Sequence, residues 1–395
     1  MNTTLRIMDE PDLDALRERA FNLRWATVAD GVIPLTAADP DLPIAANVGA
    51  AIARYVATPH LSYGPPLGLP QFREAVARHF AIEKHAAVAA DRVVAANSAA
   101  SAIALVARHL LAPGDEVVVQ DPVDFLVAES ARRAGATLRH WRAEDGRFTL
   151  DGLAAAVTPK TRVVSVCHPH NPLGSLWTLG EVADIAAFAA ARGITIISDE
   201  VWSDVVLDGA EFASFARHAD GGCRPWVVYG LSKGYGLAGL RVGAVIAPDA
   251  SAAAEFAAAQ GFEHTIEGAA TLSQVAAVAA LEDAGAWRAA FLEHAASQRD
   301  RAVAALGALP GVRIGRVPAA TFVLFVDIRA TGLDESTVAE RLERIARVKV
   351  VPGSPRWFGP GAAGHIRLSL ATSERILDEA LARIASAWTE VVAGG

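Results

Sequence analysis

Between residues 92 and 247 the sequence keeps returning to one pattern: a short run of apolar, mostly β-branched residues, then a longer run with helical spacing. The short runs are 92–96, 116–120, 162–167, 195–198, 227–229 and 242–247. Each is apolar on both faces, as a strand covered from both sides must be. The segments 99–111, 124–134 and 179–192 between them repeat at helical intervals. Strands alternating with helices fold as a mostly parallel sheet with crossover helices packed on it. The expected class is therefore α/β.

After about residue 270 the rhythm changes. Helical patterns at 269–281 and 285–306 lead to a strand-like run at 321–327. A helix at 335–346, strands at 348–351 and 365–370, and a final helix from Ser373 follow. This predicts a smaller α+β unit. The expected division is an N-terminal arm and part of the small domain at 1–45, a large domain at 46–285, and the rest of the small domain at 286–395.

Composition narrows the function classes. With 52% hydrophobic and 20% charged residues the chain can bury a large core, which excludes the disordered class. A net charge of −8 without a basic stripe argues against a nucleic-acid surface. Cys167 and Cys223 lie far apart, with neither disulfide nor metal-ligand spacing, so no metal is expected. The first fourteen residues lack the apolar stretch of a signal peptide. The uncharged stretch 93–107 falls short of the roughly 20 residues a membrane span needs. A cytoplasmic protein with no membrane partner is expected.

Parallel sheets of this kind bind ligands at the carboxyl ends of their strands. Asn171, Asp199 and Lys233 each follow such an end. Together they suit pyridoxal 5′-phosphate (PLP). A lysine amine can join the cofactor aldehyde as a Schiff base and later move a proton at the substrate Cα. A carboxylate such as Asp199 keeps the pyridine nitrogen protonated. Asn171 and Trp202 can donate to the ring oxygen, and Arg241 and Arg367 can fork onto a phosphate and a carboxylate. Singly, each has a plainer reading. Lys233 could be a solvated loop lysine, Asp199 a helix cap, Asn171 a turn residue before Pro172, and Arg367 an edge-strand charge. Only their conjunction carries the assignment. The run Gly234-Tyr235-Gly236-Leu237-Ala238-Gly239 fits G-x-G-x-x-G, but it leads into a strand rather than a helix. That excludes a dinucleotide fingerprint.

The segment from Ser232 and Lys233 through Gly239 to Arg241 and Gly243 resembles the cofactor-lysine segment of fold-type I PLP enzymes, aminotransferase class I/II. His168-Pro169-His170-Asn171-Pro172-Leu173-Gly174, Ser198-Asp199-Glu200-Val201-Trp202, Tyr63-Gly64-Pro65-Pro66 and His365-Ile366-Arg367-Leu368-Ser369 resemble further segments of that family. The resemblance covers nearly the whole chain. It implies an aspartate-aminotransferase-like fold and a phosphate cup at Ser98, Ala99 and Ala100, joined by Ser232 and Arg241. It places Ala38 and Arg367 at the substrate carboxylate. It also implies a homodimer in which Tyr63 reaches the partner's phosphate. Arg356 or Trp357 is expected to help select the substrate side chain.

Three positions depart from the family pattern. Asp124 stands where an aromatic residue usually covers the cofactor ring, with Phe125 next to take that role. Gly230 replaces a hydroxyl residue, and Trp202 replaces a tyrosine. The expected reaction is transamination between an L-amino acid and a 2-oxo acid. The alternative is C–S β-elimination, because 12–19, Trp25 and 169–178 look like cystathionine β-lyases of the maltose-regulon-modulator type, or another β-elimination or unusual PLP chemistry such as oxidation or cyclisation.

Overall fold

The computed structural model describes residues 10–394, so the first nine residues of the expected N-terminal unit and Gly395 lie outside the described residues. In chain order the strands are β1 (Ile33–Pro34), β2 (Val93–Ala96), β3 (Glu116–Asp121), β4 (Thr137–Arg142), β5 (Thr161–Cys167), β6 (Thr195–Asp199), β7 (Trp226–Gly230), β8 (Gly243–Ile246), β9 (Val323–Asp327), β10 (Val348–Lys349), β11 (Val351–Pro352) and β12 (His365–Ser369). Seven of them form the main sheet in the order β2-β8-β7-β6-β5-β3-β4. The pairs from β7 to β4 are parallel. Only β8 is reversed, against both β7 and β2. The expected mostly parallel α/β sheet is what forms.

Each of the six expected runs is a strand, within a residue or so at the ends. The edge strand β4 was not expected. It carries Arg139, His140 and Arg142 and alternates exposed with partly buried positions, so it lacks the two-sided apolar signature. Charge on an edge also blocks pairing with another chain.

A second, three-stranded antiparallel sheet runs β11-β12-β9, and β1 pairs with β10. The expected strand 348–351 is thus two short ones that serve different sheets. The expected helix 335–346 is α-helical over Glu335–Arg341 and closes in a π turn, Leu342–Ala346. Trp25, Ile33 and Leu35 from the N-terminal segment pack into one apolar cluster with Val348, Leu368 and Trp388. The helix Gly285–Gly307 joins the two cores: Trp287, Phe291 and Ala295 pack in the large one, Ala302 and Leu306 in the small one.

The topology fixes where a ligand can sit. The ends of β5, β6 and β7 are neighbours, so Cys167, Asp199 and Gly230 deliver their following loops to one edge. Strand β2 runs in the same direction as β7, because β8 opposes both. Its end at Ala96 brings the start of the helix Ala99–Leu110 to that edge as well. Among the described residues no helix is long and apolar enough to cross a membrane.

Candidate active site

At this edge a cavity of about 480 Å³ is lined by Lys233, Asp199, Asn171, Trp202, Ser232 and Arg241, together with Ser98, Ala99, Ala100, Ala38, Phe125, Trp357 and Arg367. Residues from eight separate sequence segments therefore meet in one place. A cavity of this size can enclose a small ligand.

The phosphate end is built by backbone. Ser98 caps the helix Ala99–Leu110 in an uncommon conformation for a residue with a side chain, φ 100°, and its Oγ accepts from the Ser101 N–H at 3.2 Å. Such strain collects at functional sites. The N–H groups of Ala99 and Ala100 begin this helix and remain for an anion, which the helix dipole also favours. Arg241, itself in the left-handed region, donates from Nη2 to Ser98 Oγ at 2.9 Å. Gly243 lets β8 lie against this turn. A Cβ there would stand 2.9 Å from Ala99 N and 2.8 Å from the Tyr229 carbonyl.

Asp199 is buried, and its Oδ1 accepts from the Val201 N–H at 3.1 Å. Burial pushes its carboxyl up to about 7, with the nearby Asp124 charge adding to the effect. A buried carboxylate so placed calls for a cationic N–H partner. Lys233 donates from Nζ to the Ala38 carbonyl and lies 5.4 Å from the Trp202 ring centre. Burial lowers its pKa, the neighbouring Arg367 lowers it further, and Asp39, Asp124 and Asp199 oppose this. Lys233 is thus shifted towards the neutral amine that nucleophilic attack requires.

Arg367 is buried and donates from Nη2 to the Thr36 carbonyl at 2.8 Å and from Nη1 to Asn171 Oδ1 at 3.3 Å. Its Nε has no partner. Burial lowers its pKa to about 10, which leaves it charged at neutral pH. Between the Thr36 and Ala38 carbonyls, the Ala37 carbonyl accepts from Arg24 Nη1 at 3.3 Å, and Arg24 is paired with buried Asp41 at 2.5 Å, with Trp25 Nε1 donating to the same carboxylate at 2.9 Å.

The residues present fit PLP. An anion cradle, an acid matched to a ring N–H, a lysine with a depressed pKa and an arginine with an unpartnered buried nitrogen converge on one cavity.

Tyr63, Arg356 and Trp202 take different places relative to this cavity. Tyr63 is 89% exposed and lines a different surface cavity with Thr265, Ile266 and Gly268. It does not reach this chain's own site. Arg356 does not line the cavity either. One short helix, Pro355–Phe358, turns Trp357 inward, while the Arg356 guanidinium lies on the outside, 4.9 Å from the Trp357 ring centre. Trp202 is buried with its ring edge-to-face against Phe322 at 4.8 Å, so packing as well as any polar contact fixes it.

Sequence reasoning missed the part played by Asp124. It caps the helix Phe125–Arg133 through Oδ1 and accepts from Asn171 Nδ2 through Oδ2 at 2.9 Å. Asp124, Asn171 and Arg367 thus form one hydrogen-bonded chain across the cavity wall. The hint was there, since Asp124 replaces an aromatic residue, but its partner lies 47 positions away. Also missed was the buried hub at Asp204, which accepts from His79, Lys84, Tyr229 and Arg288. It lies directly behind the lysine loop, where a Cβ on Gly234 would come within 2.5 Å of Asp204 Cβ.

Residues 30–384 match the family described as aminotransferase class I and II. The chain is 33% identical to the arginine–pyruvate transaminase AruH of Pseudomonas aeruginosa over 91% of both chains. It is 30% identical to a Mycobacterium tuberculosis protein provisionally named a cystathionine beta-lyase, covering 97% of this chain and 98% of that one. An aromatic aminotransferase from Pyrococcus horikoshii OT3 superposes with a TM-score of 0.83 at 28% identity, over 92% of this chain and 97% of the other.

Proposed function

This chain belongs to the aminotransferase class I and II family and is a PLP-dependent aminotransferase, and from that premise we propose the role of each residue in its site. The observation that carries the proposal is the convergence of Lys233, Asp199, Asn171, Arg241 and Arg367 on one cavity. Lys233 holds the cofactor and moves the proton at the substrate Cα. Ser98, Ala99, Ala100, Ser232 and Arg241 hold the phosphate. Asp199 keeps the ring nitrogen protonated, and Asn171 and Trp202 donate to the ring oxygen. Arg367 takes the substrate carboxylate beside Ala38, with Asn171 fixing the guanidinium plane. Phe125 and Asp124 face the ring from the start of their helix. When bound, PLP supplies an electron-withdrawing ring that acidifies the Cα–H of an attached amino acid. The protein directs that acidity: a Lys233 amine on one side of Cα can take the proton and return it elsewhere.

Several features support a cytoplasmic homodimer with this organisation. Tyr63, Leu61 and Ile266 expose large apolar surface around a cavity of about 660 Å³, which a second copy would cover. Tyr63 would then serve the partner's phosphate. Both cysteines are buried free thiols, which suits a reducing compartment. The two apolar clusters support a division near residues 45 and 285, with the helix Gly285–Gly307 as the joint and with Ala38, Leu42, Phe322, Val323 and Ala371 packing across it into the large core.

The test is amine transfer by the PLP-loaded protein across a panel of amino acids and 2-oxo acids. Transfer that depends on the oxo acid is expected. Release of ammonia and pyruvate without an oxo acid would instead support the β-elimination reading favoured by the mycobacterial relative. An active monomer by light scattering would remove the shared-site dimer.

A further inference from the structure

One wall of the cavity is not built like the rest. The charged groups that line the cavity are Asp124, Asp199, Lys233, Arg241 and Arg367, of which Arg241, beside Ser98, is exposed. The apolar wall is formed by Leu23, Phe125, Leu126, Val351, Trp357 and Phe358, from buried Val351 and Phe358 out to exposed Leu23 and Phe125, with Asn22 as a polar neighbour. Leu23 is 40% exposed and Phe125 37%, so large apolar surface is held facing the opening. Phe125 and Trp357 meet edge-to-face with ring centres 5.6 Å apart, which joins two chain segments into one aromatic wall. Phe358 lies against the Arg367 guanidinium at 5.1 Å, so this wall begins where the substrate carboxylate would end.

The wall is also fixed in place. The Val123 N–H donates to the Phe358 carbonyl at 2.9 Å, and the Gly361 N–H donates to Asp121 Oδ1 at 2.7 Å. Neither Gly359 nor Gly361 has room for a side chain, since a Cβ would stand 2.9 or 2.8 Å from that oxygen. The segment carrying Trp357 is thereby clamped to the end of β3. An apolar surface that is preorganised gains more from burial, because little ordering is left to do on binding.

We propose that the amino acid taken by this site has a large uncharged apolar side chain, aromatic or branched, received by Leu23, Phe125, Leu126, Val351 and Trp357. This rests on the aminotransferase reading. A side-chain carboxylate or ammonium placed against this wall would lose its water and find no partner. Arg356, the exposed cation of this segment, stacks on Trp357 and does not line the cavity, and Arg241 is directed to Ser98. The acidic groups lining the cavity are engaged, Asp124 by Leu126 N and Asn171 Nδ2, and Asp199 by Val201 N.

The experiment measures binding rather than turnover. PLP-loaded protein is titrated calorimetrically with carboxylates that lack an amine able to react with the cofactor: hydrocinnamate, isocaproate, glutarate and δ-(trimethylammonio)valerate. The apolar pair should bind at least about tenfold tighter than the charged pair. Trp357→Ala and Leu23→Asp should each weaken the apolar pair by about tenfold and leave propionate unchanged. Leu23→Asp alters an exposed position whose positive φ suits aspartate, so it guards against a misfolded Trp357 variant. Equal or tighter binding of glutarate or δ-(trimethylammonio)valerate would overturn the proposal, as would variants that weaken all ligands alike. Amine transfer from charged amino acids alone would overturn the substrate class and keep the aminotransferase reading. Absence of transfer from any amino acid would count against that reading instead, while the titrations still decide the class.

Discussion

Asp199 gives the sharpest quantitative handle on the site. Without the cofactor it is a buried carboxylate with one hydrogen bond, and burial raises its pKa from 3.8 to about 7. The folded PLP-free protein therefore keeps a proton that the unfolded chain releases. Stability should fall as pH rises between about 4 and 7, and the whole cost is present above that window. A rise from 3.8 to about 7 corresponds to about 4 kcal/mol at 1.36 kcal/mol per pH unit. Asp199→Asn removes this one titration and preserves the shape. Glu200 next to it, also raised to about 7 by burial, remains in both proteins and cancels. Urea denaturation of the two PLP-free proteins at pH 4 and pH 8 should show the variant gaining about 4 kcal/mol on wild type between the two conditions. PLP binding should reverse the order, because a protonated ring nitrogen gives the carboxylate its partner and the amide has no charge to match it. Parallel pH curves for the two proteins, or PLP affinity unchanged in Asp199→Asn, would refute the assignment of Asp199 to the ring nitrogen.

Two further perturbations follow from the packing. Gly243→Ala puts a Cβ against the backbone of Ser98, Ala99 and Tyr229, none of which is a flexible tip. It should cost about 1–3 kcal/mol and weaken PLP binding, whereas Gly239→Ala, with nothing within 4 Å, should leave both unchanged in titration and melting experiments. Asp204→Asn leaves Lys84 buried without its counter-charge and should cost about 3–5 kcal/mol in urea denaturation at neutral pH. A loss under about 1 kcal/mol would show that the hub is not a buried ion pair of this kind.

Where chemistry marks a residue, the sequence was legible. Lys233, Asp199, Asn171 and Arg241 stand at strand ends, and the seven-stranded sheet brings those ends together. Strand β4 escaped because an edge strand with arginines shows no two-sided apolar run. Leu23 and Phe358 escaped because a leucine or phenylalanine looks the same in a core as in a cavity wall. Arg356 and Trp357 could not be told apart in sequence, since only the turn of a four-residue helix decides which faces inward. Asp124 read as a departure, but its bond to Asn171 depends on two loops meeting across the sheet. The role expected of Tyr63 belongs to the proposed dimer, and within one chain Tyr63 stands exposed at a separate cavity.

The central claim is that Lys233 carries the cofactor. Borohydride reduction of the PLP-loaded protein, followed by peptide mass mapping, tests it most directly. The pyridoxyl group should be found on the peptide containing Lys233 and should be absent from Lys233→Ala treated in the same way. Stoichiometric label on Lys84, Lys160 or Lys349, or no label on Lys233 in protein that binds PLP, would contradict the account.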